Sequence, residues 1–345
     1  MAPTISLEHG SERRRALPPS TSASAAEPGS GKARAPRLTS SDVALLALVG
    51  TVWGSAYVFI REGIVFGASP LLFAAVRYLL SAVAFAALAA VRREAIPAGR
   101  ETLVSAGIGG VLIIGMYGGL LYWGEQYTTG GYAAVLAATA PIITVVVAFS
   151  LLPSERFGAL GLAGLGLGFA GAVVLVAPSL FGSSIGTWPG PIFVLGAYLS
   201  TAVGSVLLRR LGRGRQGLWQ IGVQFAVAGL LLAGLGALLP FPEALPATPG
   251  VLYSLAALVL LASVIGYFGY FALHHRVGPV RANIVAYLVP LAGVVIGSGA
   301  FGEPLTFWEV GGFLIVIGGL TLLFWESAHR TGGVRTSTPS ATDSK

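Results

Sequence analysis

The sequence predicts an all-α integral membrane protein of ten transmembrane helices, arranged as two inverted five-helix repeats. Three observations carry that expectation. Ten apolar segments have helix length, basic residues keep to alternate connections, and motifs recur at an offset near 148 residues. A helix needs about 20 predominantly apolar residues to cross a bilayer, where lipid offers no partner to an unpaired backbone group. Composition agrees: 54% of the 345 residues are hydrophobic and 10% are charged. A soluble domain carries about 25% charged residues, so there is too little polar surface here to wet a globule of this size.

The first five expected spans are 43–60, 70–91, 103–122, 131–151 and 157–177. The second five are 189–208, 218–238, 250–272, 280–301 and 306–325. Five is an odd number, so the second set must enter the membrane upside down relative to the first. Residues 41–178 form the first repeat and 186–326 the second, flanked by disordered cytoplasmic tails at 1–40 and 327–345. The first tail is rich in Ser, Ala, Pro and Arg without an apolar period. Arg13 to Arg15 are followed by ALPPSTSASAAEPGS and not by an apolar run, so no cleaved secretion signal is expected.

Charge supports the count. Of the 21 Lys and Arg, 19 lie in the tails or in the connections after spans 2, 4, 6 and 8. The other connections hold only Arg61, and Arg77 lies inside span 2. By the positive-inside rule both termini are cytoplasmic; the plasma (inner) membrane is the expected location. The net charge of +7 is thus a topology signal, and no nucleic-acid partner is expected. Cysteine is absent, which excludes disulfides and thiolate metal sites. His9, His274, His275 and His329 have no zinc-site spacing. No metal and no cofactor are expected.

Taken in chain order, the spans carry the following chemistry. Span 1 places Trp53 and Tyr57 four apart, on one face. Span 2 holds Arg77, seven residues from its outer end, about 10 Å deep. A charge there is normally paired or faces a cavity. Two readings stay open: an ion pair with Glu125 or Glu62 that fixes spans 2 and 3, or capture of a substrate carboxylate or phosphate by the planar guanidinium. Span 3 carries Tyr117 and Tyr122, and Glu125 follows it. Pro141 in span 4 and Pro290 in span 9 each break the backbone ladder once per half. The freed carbonyls are tolerable where they face protein or a water-filled path. Spans 5 and 10 hold Gly161, Gly164, Gly168 and Gly171, and Gly311, Gly312, Gly318 and Gly319, which permit close helix approach, either within one chain or in a homodimer. Span 7 holds Gln224, span 8 Tyr267, Tyr270 and Phe271, and span 9 Asn283 and Tyr287.

The halves align residue by residue. Pro141 meets Pro290, Glu155 meets Glu303, and Trp53 meets Thr201, which brings Arg61 onto Arg209 and Arg77 near Gln224. The W-G-S start of span 1 (Trp53, Gly54, Ser55) is similar to the drug/metabolite transporter superfamily, in its EamA-type branch. So are SPLLFAAVRYLLSA around Arg77 and the two proline segments that each lead to a glutamate. The resemblance spans about residues 43–325. One departure is Ser154, where the family pattern has Gly before the glutamate; Gly302 fits in the second half. The resemblance implies two inverted repeats, with spans 3, 4, 8 and 9 as a central core and spans 1, 2, 6 and 7 as moving parts. It also implies transport of small metabolites, amino acids or drugs, often outward.

The expectation is therefore a secondary transporter, an exporter of small organic solutes by alternating access, with the lipid bilayer as its surroundings. Trp53, Tyr57, Arg77, Tyr117, Gln224, Tyr267, Asn283 and Tyr287 are expected to bind substrate. Glu125, Pro141, Glu155, Pro290 and Glu303 are assigned structural or gating roles. Because the acids fall at span ends, facilitated diffusion or exchange is favoured over proton coupling, with Glu125 the best placed carboxyl if a proton is carried. No GxxxxGK[ST] loop is present, which argues against ATP hydrolysis. A membrane enzyme acting on a lipid-linked substrate is the alternative. It would need clustered acids and histidines at one membrane face, and only His274, His275 and Arg276 stand together, so no enzymatic role is expected.

Overall fold

The computed structural model describes residues 39–96, 99–151, 159–180, 187–211, 217–238, 244–277, 285–303 and 306–331. No strand occurs among them. The helices are α1 (Ser40–Val65), α2 (Pro70–Val91), α3 (Arg100–Gly124), α4 (Gly130–Leu151), α5 (Ala159–Leu180), α6 (Pro189–Arg210) and α7 (Leu218–Leu238). Three more follow. α8 is built from Pro249–Ala257, Leu258–Ile265 and Gly266–Val277, α9 is Val285–Phe301 and α10 is Phe307–Thr331. By length and composition α1–α4 and α6–α8 can each cross a membrane, while α5, α9 and α10 carry shorter apolar stretches. Outward-facing Val83, Phe169 and Val295 are 67%, 67% and 69% exposed. Apolar side chains that cover both the core and the outer face mark helices whose solvent is lipid.

The ends of the helices explain their boundaries. Thr39 and Asp42 close a capping box at the start of α1, satisfying two of the orphan donors there. Arg276 at the end of α8 lies 3.7 Å from the Asp42 carboxylate. Glu94, after α2, accepts from the Leu218 amide at 2.9 Å and so caps α7. Arg61 of α1 donates to the carbonyls of Glu125 and Gln126 at 2.6 and 3.1 Å. The Ser69 amide donates to the Ala244 carbonyl at 2.8 Å. Each of these contacts joins connections that the charge alternation places on the same side of the membrane.

Packing follows the repeat. α5 lies on α10 and α2 on α7, while α1 packs on α8 and α9 just as α6 packs on α3 and α4. The first helix of each half thus belongs spatially to the other half. α5 and α10 meet through their glycines: a Cβ on Gly171 would lie 2.7 Å from the Val316 amide, and one on Gly319 would collide with the backbone of Gly168. These glycines are used within one chain.

A second symmetry is local. Residues Gly109–Met116 of α3 and Leu258–Ile265 of α8 are both π-helical, and their bounds differ by 149 residues at each end, the offset that relates Pro141 to Pro290. A π turn rotates part of the backbone ladder out of register and frees carbonyls for other donors. Ser200 of α6 donates to the Leu112 carbonyl at 2.8 Å, and Trp53 of α1 donates to the Ala262 carbonyl at 3.1 Å.

Candidate functional site

A cavity of about 410 Å³ lies midway along the helices, where the two halves meet. Its wall mirrors the repeat. Trp53 and Thr201, Arg77 and Phe225, Ile113 and Ala262, Leu121 and Tyr270, and Ala140 and Val289 all line it, each pair 148 or 149 residues apart. Ala140 and Val289 immediately precede the two prolines, so both proline-bearing helices border the cavity. In α4 the break is a short 3₁₀ stretch, Ala137–Thr139, ahead of Pro141. In α9, Pro290 sits inside a continuous helix.

Tyrosines supply most of the polar lining. The hydroxyl of Tyr57 in α1 is hydrogen-bonded to that of Tyr198 in α6 at 2.6 Å and to that of Tyr117 in α3 at 3.2 Å. This triad ties three helices from both halves. On the opposite side Trp53 packs against Tyr267 and Tyr270 with ring centroids 5.8 and 4.9 Å apart. Phe225 adds Tyr267 and Tyr78 to the aromatic wall.

Among the described residues Arg77 is the single ionised group in the lining. It is 9% exposed. The sequence offered Glu125 or Glu62 as its ion-pair partner, and the structure corrects this. The guanidinium donates from Nη1 to the Tyr122 hydroxyl at 2.9 Å. It lies over the rings of Tyr78 and Tyr122, 5.3 and 6.0 Å from the centroids, within cation–π range. Its Nε has no hydrogen-bond partner. The reason is depth. Tyr122 is three residues before Glu125, about 4.5 Å deeper along α3, and thus nearer the level of Arg77. The cation is held by neutral phenols, and its charge is left uncompensated toward the cavity.

Trp53, Tyr57, Arg77, Tyr117 and Tyr267 of the expected substrate-binding set therefore line one cavity. Gln224 does not join them. It is 3% exposed and packs against Gly109, where a Cβ would lie 2.5 Å from its amide carbon, and its neighbour Phe225 faces the cavity instead. Asn283, the side chain of Tyr287, and Glu155 lie outside the described residues. Tyr198 and Thr201, outside the expected set, also line the cavity. Tyr198 carries the same signal that marked Tyr57, a phenol near the middle of an apolar span.

Two glutamates sit at the end of the bundle formed by the α3–α4 and α9–α10 turns. Glu303 accepts from the amides of Gly130 and Gly131 at 2.8 and 2.6 Å, so it caps α4 from the opposite half. Glu125 sits at a span end in the sequence. It is 0% exposed, and neither carboxyl oxygen has a hydrogen-bond partner.

A cavity closed by symmetry-related walls of two helical halves is an architecture common among membrane transporters. The chain belongs to the EamA-like transporter family, whose profile matches residues 41–177 and again 188–325. It is 32% identical over 266 residues to the uncharacterized inner membrane transporter YedA of Escherichia coli (strain K12), covering 76% of this chain and 83% of that one. It is 28% identical over 308 residues to the probable amino-acid metabolite efflux pump of Salmonella typhimurium (strain LT2), covering 86% and 99%. A solved crystal structure superposes with a TM-score of 0.58 at 21% identity, covering 85% of this chain and 99% of that one, which speaks to the fold alone.

Proposed function

We propose that this protein is a secondary transporter that exports small organic metabolites, amino acids or related solutes, across the plasma membrane by alternating access. Ten helices in two inverted halves, with both termini cytoplasmic, would rock about the central cavity. The observation that carries this reading is the cavity itself. Its volume lies within the range of about 300–1,000 Å³ typical of small-molecule sites. Its lining combines aromatic faces, a cluster of tyrosine hydroxyls and one uncompensated arginine. That mixture suits a solute with an apolar body and an anionic group, such as an amino-acid carboxylate. In this reading Arg77 holds the anion, Trp53, Tyr267 and Tyr270 pack on the apolar part, and the Tyr57, Tyr117 and Tyr198 hydroxyls exchange hydrogen bonds with polar groups. The similarity to a relative described as a probable amino-acid metabolite efflux pump supports the same solute class.

The test is solute flux in proteoliposomes of the purified protein, with pooled radiolabelled amino acids, nucleosides and aromatic carboxylates. Saturable movement, with competition among carboxylate-bearing members of one pool, is expected. Folded protein that moves none of the pools, or movement linear in concentration, would refute the reading.

A further inference from the structure

We infer that Glu125 is a proton-binding site of the transport cycle, and that its proton travels with the solute rather than against it, so that export is driven by the solute's own gradient and carries the proton out with it. The inference rests on the transport reading above, with Arg77 as the anion site. Glu125 follows the last turn of α3, fully buried, with both carboxyl oxygens unpartnered. Most buried carboxylates are paired with a cation or accept several hydrogen bonds. This one has neither. Arg61 of α1 spends Nη1 on the backbone carbonyls of Glu125 and Gln126 and not on the carboxyl.

The titratable and charged groups that face Glu125 are Arg61 and Tyr57 of α1, Arg77 of α2, Tyr122 one turn earlier on α3, and Glu303 of the α9–α10 turn. Burial, and then the like charge of Glu303, push the Glu125 carboxyl well above the usual carboxylate range, with the two arginines opposing that. Burial without a partner favours the protonated, neutral form of this carboxyl. A protonated acid has lost its charge and can remain buried; the ionised form needs water or a cation.

The link to the solute runs through Tyr122. Its hydroxyl is bonded to Arg77, and it lies a single turn from Glu125. An anion seated on Arg77 neutralises one of the two cations that favour ionisation of Glu125. Solute binding therefore raises the proton affinity of Glu125, and by reciprocity the proton raises the affinity for the anion. The exchange balances simply. The carboxyl O–H bond breaks when the outer end opens, the proton passes to water, and the bond electrons stay on the carboxylate, which is then exposed to Arg61.

The experiment uses the full chain in proteoliposomes with an interior pH dye and the pooled radiolabelled amino acids and aromatic carboxylates. With acid outside, wild type should accumulate solute and acidify the lumen. A gradient of about one pH unit supports about tenfold accumulation of a solute carried with one proton. Glu125→Gln should keep solute counterflow, which shows that it is folded and competent, but accumulate about onefold and move no protons. Equal pH-driven accumulation in wild type and Glu125→Gln, or wild-type flux indifferent to the gradient, would overturn the inference while leaving the transporter reading intact. If wild type moves no probe, the transporter reading fails separately. The proton site is then judged by pH-difference infrared spectra of protein in bilayers between about pH 5 and about pH 9, the interval open to a buried glutamic acid. A protonated-acid C=O band in wild type that is missing in Glu125→Gln supports the site. Its absence in wild type overturns it.

Discussion

Replacing Arg77 with glutamine separates a structural arginine from one that serves the solute. In the fold, the substitution removes a charge-assisted hydrogen bond to Tyr122 at 2.9 Å and two cation–π contacts. The bond is worth about 1.5–3 kcal/mol and each contact about 0.5–2 kcal/mol. Against this stands the desolvation of a buried guanidinium without a carboxylate, which costs several kcal/mol. The terms oppose each other, so Arg77→Gln should change folding stability by no more than about 2 kcal/mol, read as a small shift in melting temperature on size-exclusion chromatography in detergent. Binding has no such compensation. Removing one partner of a buried charge pair costs about 2–5 kcal/mol, or about 30-fold to about 5,000-fold in affinity. KM for carboxylate-bearing solutes in proteoliposomes should rise by that factor. Arg77→Lys should fall between, since it keeps the charge without the planar fork. Wild-type KM in folded Arg77→Gln would refute the anion site. Failure to recover folded Arg77→Gln would show that the arginine is held for the bundle.

Further outcomes follow from other contacts. Glu303→Ala should lower the melting temperature by the cost of a lost helix cap, about 0.5–2 kcal/mol, because the amides of Gly130 and Gly131 lose their acceptor. Gly319→Ala should destabilise by about 1–3 kcal/mol through overpacking against Gly168, whereas Gly311→Ala, with open space around it, should be neutral in the same melting assay. Tyr198→Phe should cost about 1 kcal/mol and alter the ranking of solutes in competition assays, because it removes a hydroxyl from the Tyr57 cluster. Glu125 gives a pH prediction whose sign is fixed by burial. Its carboxyl binds protons more tightly folded than unfolded, so stability falls as pH rises above the ordinary glutamate range. Glu125→Gln should therefore melt at a higher temperature than wild type at alkaline pH and alongside it at acid pH.

Much of the architecture was legible because a bilayer imposes local rules. Each span must be long and apolar on its own, so helix positions are written in short stretches of chain. The repeat was legible in the same way, from Pro141 and Pro290 or Trp53 and Thr201. The cavity was legible only as a set of residues too polar for lipid, which groups Trp53, Tyr57, Arg77, Tyr117 and Tyr267, all in its lining, with Gln224, which packs on Gly109 instead. Helical phase alone could not show that α7 turns Phe225 inward and Gln224 onto Gly109.

By itself, the sequence determined an all-helical membrane protein of the EamA-like family, built from two like halves, with one intramembrane arginine. The tertiary structure decided the partners. Arg77 meets Tyr122 and not Glu125, Tyr57 meets Tyr198 at a separation of 141 residues, and Glu125 is sealed from solvent at a span end. Hydrophobic length is a property of each segment, whereas a polar partner is chosen by which helix faces pack together and at what depth, and that choice exists only once the halves have closed on each other.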